Sequence, residues 1–289
     1  MGLYEELLND YKADLHAGGA AQNTARGVQY ILPEESVVFF GCVGKDKYAD
    51  LLVEANKKVG LKTVYRIDET HPTGRCGVII TGHDRSMCTD LAAANEYKIE
   101  HLKENWDWVK QAKYYFVGGY HLTVSVPAIL ALGEEAAKEN KPFMLSLSAP
   151  FIPQFFKDQL DQTAPYWDYV VGNETEAIAY AESHGLDTKD IPTIAKHLAN
   201  LPKTNEKRKR TAIITQGTEP TVVAIQGEDQ VKQFTVHTID KKDIADTTGA
   251  GDAFAAGFLA GVAKGESVET SVDMGQWLAK LSIQELGPV

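Results

Sequence analysis

The chain has 289 residues, 44% of them hydrophobic, enough for one large α/β domain with a sizeable core. A net charge of −11 argues against a nucleic-acid or anionic-membrane surface, and no run approaches the ~20 apolar residues of a membrane span. Three cysteines without metal-type spacing and eight histidines without an HxxxH or CxxH cluster predict reduced thiols in a cytosolic protein and no protein-held transition metal. Residues 1–10, with three acidic side chains and no basic one, do not read as a leader.

In chain order, apolar β-rich runs predict strands over 36–42, 76–81, 114–117, 143–148, 169–172, 211–215 and 221–225. Helical patterns cover 21–30, 46–59, 103–110, 126–140, 174–184, 191–200, 252–263 and 267–286. The alternation predicts a parallel sheet covered on both faces, with ligands beyond the carboxyl ends of its strands. Residues 63–90 break the pattern with adjacent strands and no intervening helix, which predicts a small β flap. The basic run at 203–210 (KTNEKRKR) reads as a solvated loop before a strand, with a nuclear-import signal as the alternative.

Residues 246–254, DTTGAGDAF, carry the most chemistry. Gly249, Ala250 and Gly251 are small enough to expose backbone N–H groups where an extended segment becomes a helix, and the positive end of that helix points at the same place. Such a turn binds an anion without a cationic side chain. A carboxylate there, Asp252, would repel phosphate unless it had its own task, and accepting a proton from an attacking hydroxyl is that task. Close helix packing is the plain alternative. A Rossmann fingerprint fails because no βαβ unit follows the turn.

Four other groups have two readings each. Gly18 and Gly19 before Asn23 allow close backbone approach and offer an amide to a polyol, or simply start a helix. Arg85 in a polar turn can fork onto a phosphate or be a surface arginine. Asn173 and Glu176, at i and i+3 after a strand, suit a hydrated Mg²⁺ or form a helix cap. Thr215 to Gly217 can frame a nucleotide phosphate or merely connect two strands.

Taken together, GGAAQNTARG (18–27), FFGCVGKD (39–46), TGRCGVIITGHDRS (73–86), LAAAN (91–95), GGYHLTVS (118–125), LSAPF (147–151), NETE (173–176), ITQG (214–217) and DTTGAGDAFAAGF (246–258) resemble the adenosine kinases within the ribokinase-like carbohydrate kinases. The resemblance runs in order from about Leu3 to Pro288, and DMGQW and LSIQELGP look like the fungal branch. It implies a single ribokinase-like domain over 1–289, a doubly wound, mainly parallel sheet flanked by helices, with a small, incomplete β lid near 63–90.

The implied reaction passes the γ-phosphate of ATP to the 5′-OH of adenosine. By resemblance, Asp252 is the general base, Gly249, Ala250 and Gly251 the anion hole, and Arg85 an arginine near the phosphates. Gly18, Gly19 and Asn23 would meet the ribose, and Tyr120 and Phe151 would sandwich adenine. Thr215, Gly217 and Thr248 would lie beside ATP, and Asn173 and Glu176 would organise Mg²⁺ through water. A monomer in the cytoplasm, with the nucleus as a second location, is expected.

The sequence also departs from the family pattern. Family members begin with a strand carrying a GNxxxD-type motif whose Asp binds the ribose diol. This sequence starts at Met1-Gly2-Leu3-Tyr4, beyond that strand, and no residue can be assigned to that Asp. Thr248 stands where adenosine kinases commonly have Asn, and Ser146 stands where Asn is typical. A kinase of a sugar or another nucleoside, and a nucleotide-binding fragment without activity, are the rival readings.

Overall fold

The computed structural model describes residues 2–81 and 84–287, without the side chains of 81–85. The strands are β1 (Val38–Gly44), β2 (Lys62–Asp68), β3 (Arg75–Thr81), β4 (Asp84–Asp90), β5 (Tyr115–Gly118), β6 (Phe143–Ser146), β7 (Tyr169–Asn173), β8 (Thr211–Gln216), β9 (Glu219–Ile225) and β10 (Lys232–Phe234). Six form the main sheet, ordered β10-β9-β8-β7-β6-β5. The neighbours from β5 to β8 are parallel, and β9 is antiparallel to both β8 and β10.

Side chains alternate across a strand, so each central strand feeds two cores. Met144, Val171, Ile213 and Val223 face one layer, packed with Phe254 and Phe258 of the Ala250–Lys264 helix. Leu145, Val170, Ala212 and Ile214 face the other, with Ile194 and Leu198 of the Ile191–Ala199 helix. The expected sheet covered on both faces is therefore present.

The small residues of 253–261 also have a packing role. A Cβ on Gly257 would lie 2.3 Å from the Met274 carbonyl oxygen, and one on Gly261 would lie 2.6 Å from Ser271 Oγ. Only glycine lets the Val268–Ser282 helix come this close. On the other side, a Cβ on Gly27 would fall 2.7 Å from Ala256 Cβ, which sets the Ala20–Ile31 helix against the same element.

Residues 63–90 divide between two structures. β2 pairs in parallel with β1 across the Lys47–Lys58 helix, while β3 and β4 form a separate antiparallel hairpin. The Gly2–Asn9 helix lies against that hairpin, where Tyr4 donates to the Cys88 carbonyl at 3.1 Å and the Arg75 guanidinium stacks 4.7 Å over the Tyr4 ring. The expected helix at 103–110 is instead two short ones, Ile99–Glu104 and Trp106–Gln111, broken at Asn105.

The basic run at 203–210 corrects the solvated-loop reading. The Arg210 side chain is fully buried and donates to the carbonyls of Ala164, Trp167, Leu201 and Pro202. Lys203 and Arg208 pair with the buried Asp168 carboxylate. Only a tertiary fold can aim so many carbonyls at one guanidinium, whose fan of donors they satisfy although burial still lowers its proton affinity. Lys207 and Lys209 remain exposed.

Candidate active site

The carboxyl ends of β5 to β8 lie side by side, since Gly118 registers with Ser146 and Asn173 with Thr215. The turn before the Ala250–Lys264 helix is shaped by its own sequence. Asp246 is buried, and its Oδ1 accepts the Thr248 amide at 2.7 Å while Oδ2 accepts the Gly287 amide at 3.1 Å. Gly249 caps the helix in the left-handed region (φ 83°), which a side chain would disfavour.

Among the described residues, the amides of Gly249, Gly251 and Asp252 meet no acceptor, whereas the Ala250 amide is taken by the Thr247 carbonyl at 3.3 Å. Three N–H groups without an acceptor among the described residues, at the positive end of a fifteen-residue helix, suit an anion. Ala250 therefore contributes shape to it and not a donor. A Cβ on Gly251 would meet nothing within 4 Å, so the turn opens onto free space.

Asp252 sits in that first turn, partly buried. Burial pushes its carboxyl up to about 6, against the pull of the Asn23 hydrogen bond and the Arg26 charge. Asn23, from the Ala20–Ile31 helix, donates through Nδ2 to Asp252 Oδ2 at 2.8 Å. Thr24 Oγ1 donates to the Asp252 carbonyl at 3.3 Å. Gly19 enters that helix at φ 104°, and the Gly18 carbonyl is held by Gln22 Nε2 at 3.0 Å. Gln22 in turn accepts from the Tyr65 hydroxyl of β2. The 18–23 and 246–252 turns therefore meet at one carboxylate.

Asn173 and Glu176 open the Glu174–Ser183 helix as a reciprocal cap. Asn173 Oδ1 accepts from the Glu176 amide at 2.9 Å and from Thr175 Oγ1 at 2.6 Å, which uses both of its lone pairs. Each Glu176 oxygen accepts one bond from Asn173, at 3.0 Å in both cases, and keeps a second lone pair. Burial and the charges of Asp252 and Glu174 push the Glu176 carboxyl up to about 7, although the Asn173 amide lowers it. In the adjoining β8–β9 turn, Thr215 Oγ1 reaches the Gly172 carbonyl at 3.4 Å and Gly217 adopts φ 58° with open space around it. The Thr248 hydroxyl is buried and has no partner among the described residues.

Tyr120 and Phe151 are partly exposed, with ring centroids 6.0 Å apart and planes at 43°. Burial, then the charges of Asp252 and Glu176, raise the Tyr120 phenol. The pair is tilted and closed on itself, and a flat base entering between the rings has to part them. The Arg85 backbone lies in β4, but its side chain falls outside the described residues.

Motif reading did not single out Arg26, buried beneath Asn23, or Ser148. Ser148 holds φ 66° and accepts the Gly119 amide at 2.8 Å, which fixes the turn leading to Tyr120. A positive φ on a non-glycine residue leaves no trace in sequence, and an arginine in a helix looks like surface.

An open glycine turn thus lies beside a partly buried carboxylate at the carboxyl edge of an α/β sheet. The family model for pfkB family carbohydrate kinases matches residues 3–289. Adenosine kinase from Saccharomyces cerevisiae is 48% identical over 290 residues, covering all of this chain and 84% of its own, and that from Schizosaccharomyces pombe is 45% identical over 291 residues, covering 99% and 84%. Anopheles gambiae adenosine kinase, solved with di(adenosine-5) tetraphosphate, superposes with a TM-score of 0.97 at 43% identity, covering 99% of this chain and 85% of that one. Schistosoma mansoni adenosine kinase with 2-fluoroadenosine gives a TM-score of 0.96 at 33% identity, covering 100% and 86%. With the match running through both turns that meet at Asp252, this chain belongs to the pfkB family of carbohydrate kinases.

Proposed function

We propose that this protein is an adenosine kinase, moving the γ-phosphate of ATP to the 5′-hydroxyl of adenosine. The observation that carries the reading is one carboxyl group, Asp252, raised to about 6 and set among three backbone amides that meet no acceptor among the described residues. A carboxylate poised near the working pH takes the proton from the attacking hydroxyl, while the amides of Gly249, Gly251 and Asp252 hold the charge that collects on the migrating phosphoryl oxygens. The relatives support the substrate pair. A neighbour of this fold binds a molecule with adenosine at each end of a tetraphosphate, and another binds adenosine with AMP. Tyr120 and Phe151 supply the apolar faces that a purine needs and that a bare sugar does not.

The donor set around Glu176 fits Mg²⁺ held through its water shell. Asn173 Oδ1 has no lone pair left for direct ligation, but the Glu176 oxygens each have one for a bound water. Bound there, Mg²⁺ would neutralise charge on the phosphates. Removing the proton and steadying the phosphoryl group remain the work of Asp252 and the turn amides.

Single-turnover transfer from ATP to adenosine with Asp252→Asn tests the reading. A loss of about 10²-fold or more is expected, and activity surviving within about tenfold overturns the base assignment. A panel of ribose, fructose 6-phosphate, adenosine and guanosine tests the substrate, with adenosine expected to dominate.

A further inference from the structure

The hydrogen bonds around Asp252 continue inward to one side chain. Arg26 is 8% exposed and lies one turn beyond Asn23 on the same helix. Its Nη2 donates to Asn23 Oδ1 at 2.7 Å and to the Ala17 carbonyl at 2.7 Å. A primary amide has an acceptor end and a donor end. With the acceptor end held by a cation, Nδ2 is left to point at Asp252 Oδ2, 2.8 Å away. Turned over, the same amide would aim its oxygen at a carboxylate. Arginine does not lose its proton in the working range, so the polarity of this link does not change with pH.

We infer that Arg26 is a positioning residue for phosphoryl transfer: it locks the Asn23 amide in one orientation and thereby holds the Asp252 carboxylate in line for the substrate hydroxyl. The inference rests on the reading of Asp252 as the base. Four groups act on that carboxylate or feel its charge: Arg26 and Asn23 from the Ala20–Ile31 helix, Glu176 from the Glu174–Ser183 helix, and Tyr120 from the turn after β5. Among the described residues Arg26 is the cation acting on Asp252, and both the hydrogen bond it directs and its charge favour the ionised form. Cutting the link has a sign: Asp252 holds its proton to higher pH.

The test is kcat/KM against pH, from about pH 5 to 9, for the native chain, Arg26→Gln and Arg26→Lys, with thermal melts to confirm folding and Asp252→Asn run in parallel. Arg26→Gln is expected to move the acidic limb upward, losing on the order of tenfold at pH 6 and under about threefold at pH 9. The loss should sit in kcat, with KM for adenosine within about twofold, and Arg26→Lys should restore most of it. A folded Arg26→Gln protein whose profile overlies the native one, or falls equally at every pH, overturns the proposal. If Arg26→Gln does not fold, Asn23→Leu cuts the same link from its other end, and an unmoved acidic limb there is equally decisive. An active Asp252→Asn protein would instead remove the base assignment itself, whereas an inactive one beside an unmoved Arg26→Gln limb would remove only the relay.

Discussion

Asn173 and Glu176 satisfy each other across the first turn of a helix: the Asn173 amide donates to Glu176 Oε2 at 3.0 Å, and the Glu176 amide donates back to Asn173 Oδ1 at 2.9 Å. The pair is therefore a cap before it is anything else, and capping alone would explain both residues. What exceeds capping is the charge. A glutamine at the third helical position completes the same box, yet the protein holds there a buried carboxyl raised to about 7.

Glu176→Gln separates these roles. At about pH 5, where the native carboxyl keeps its proton, stability should change little because the cap survives, while the Mg²⁺ concentration needed for half-maximal rate should rise by about tenfold or more. Glu176→Ala should lose the cap as well, lowering stability by about 1 kcal/mol. A Glu176→Gln protein with native Mg²⁺ dependence would reduce Glu176 to a cap.

The raised carboxyls link stability to pH. Asp252 and Glu176 bind protons more tightly folded, near 6 and 7, than unfolded, near 3.8 and 4.5. Their stabilising contribution is complete below the unfolded values and is lost as pH rises through the folded ones. Asp252→Asn and Glu176→Gln should therefore melt a few degrees (~2–8 °C) above the native protein at pH 8, with the difference vanishing toward pH 4. Activity should run the opposite way, rising with pH through about 6 as Asp252 ionises. Melts that show no gain at pH 8 would contradict the burial account.

Gly251→Ala tests whether the space at the turn belongs to a ligand. Among the described residues outside its own helical turn nothing lies within 4 Å of the added methyl, and alanine is the better helix former by about 0.5–1 kcal/mol. The variant should be as stable as the native chain, or more so, with kcat/KM lowered at least about tenfold by a methyl in the phosphate's place. Unchanged kinetics would put the phosphates elsewhere.

Arg210→Met removes a fully buried guanidinium and leaves several carbonyls without a donor. A stability loss of about 3–5 kcal/mol in denaturant titration is expected, while the exposed neighbour Lys209→Ala should be near neutral. Equal, small effects would mean that the buried cation is not what holds the 203–210 segment.

The main strands could be read from sequence because apolar alternation is a local property, and five of the runs predicted between 114 and 225 became neighbours in one sheet. The cap at Asn173 was equally legible: its side chain accepts the Glu176 amide three residues on. The pairing of the strands within 62–90 was not, because the choice of β2 between β1 and the hairpin is made by strand pairing at a distance. The basic run misled for the same reason, since charge reads as solvent exposure until other segments supply the carbonyls.

The sequence by itself determined that a glycine turn, a helix start and an acid would coincide at 249–252, because backbone freedom and helix polarity are fixed by neighbouring residues. Only the tertiary structure decided what that acid is. Asn23 and Arg26, more than 220 residues away along the chain, give Asp252 its orientation and its burial, and proton affinity depends on the surroundings of a carboxyl group more than on its position in a motif.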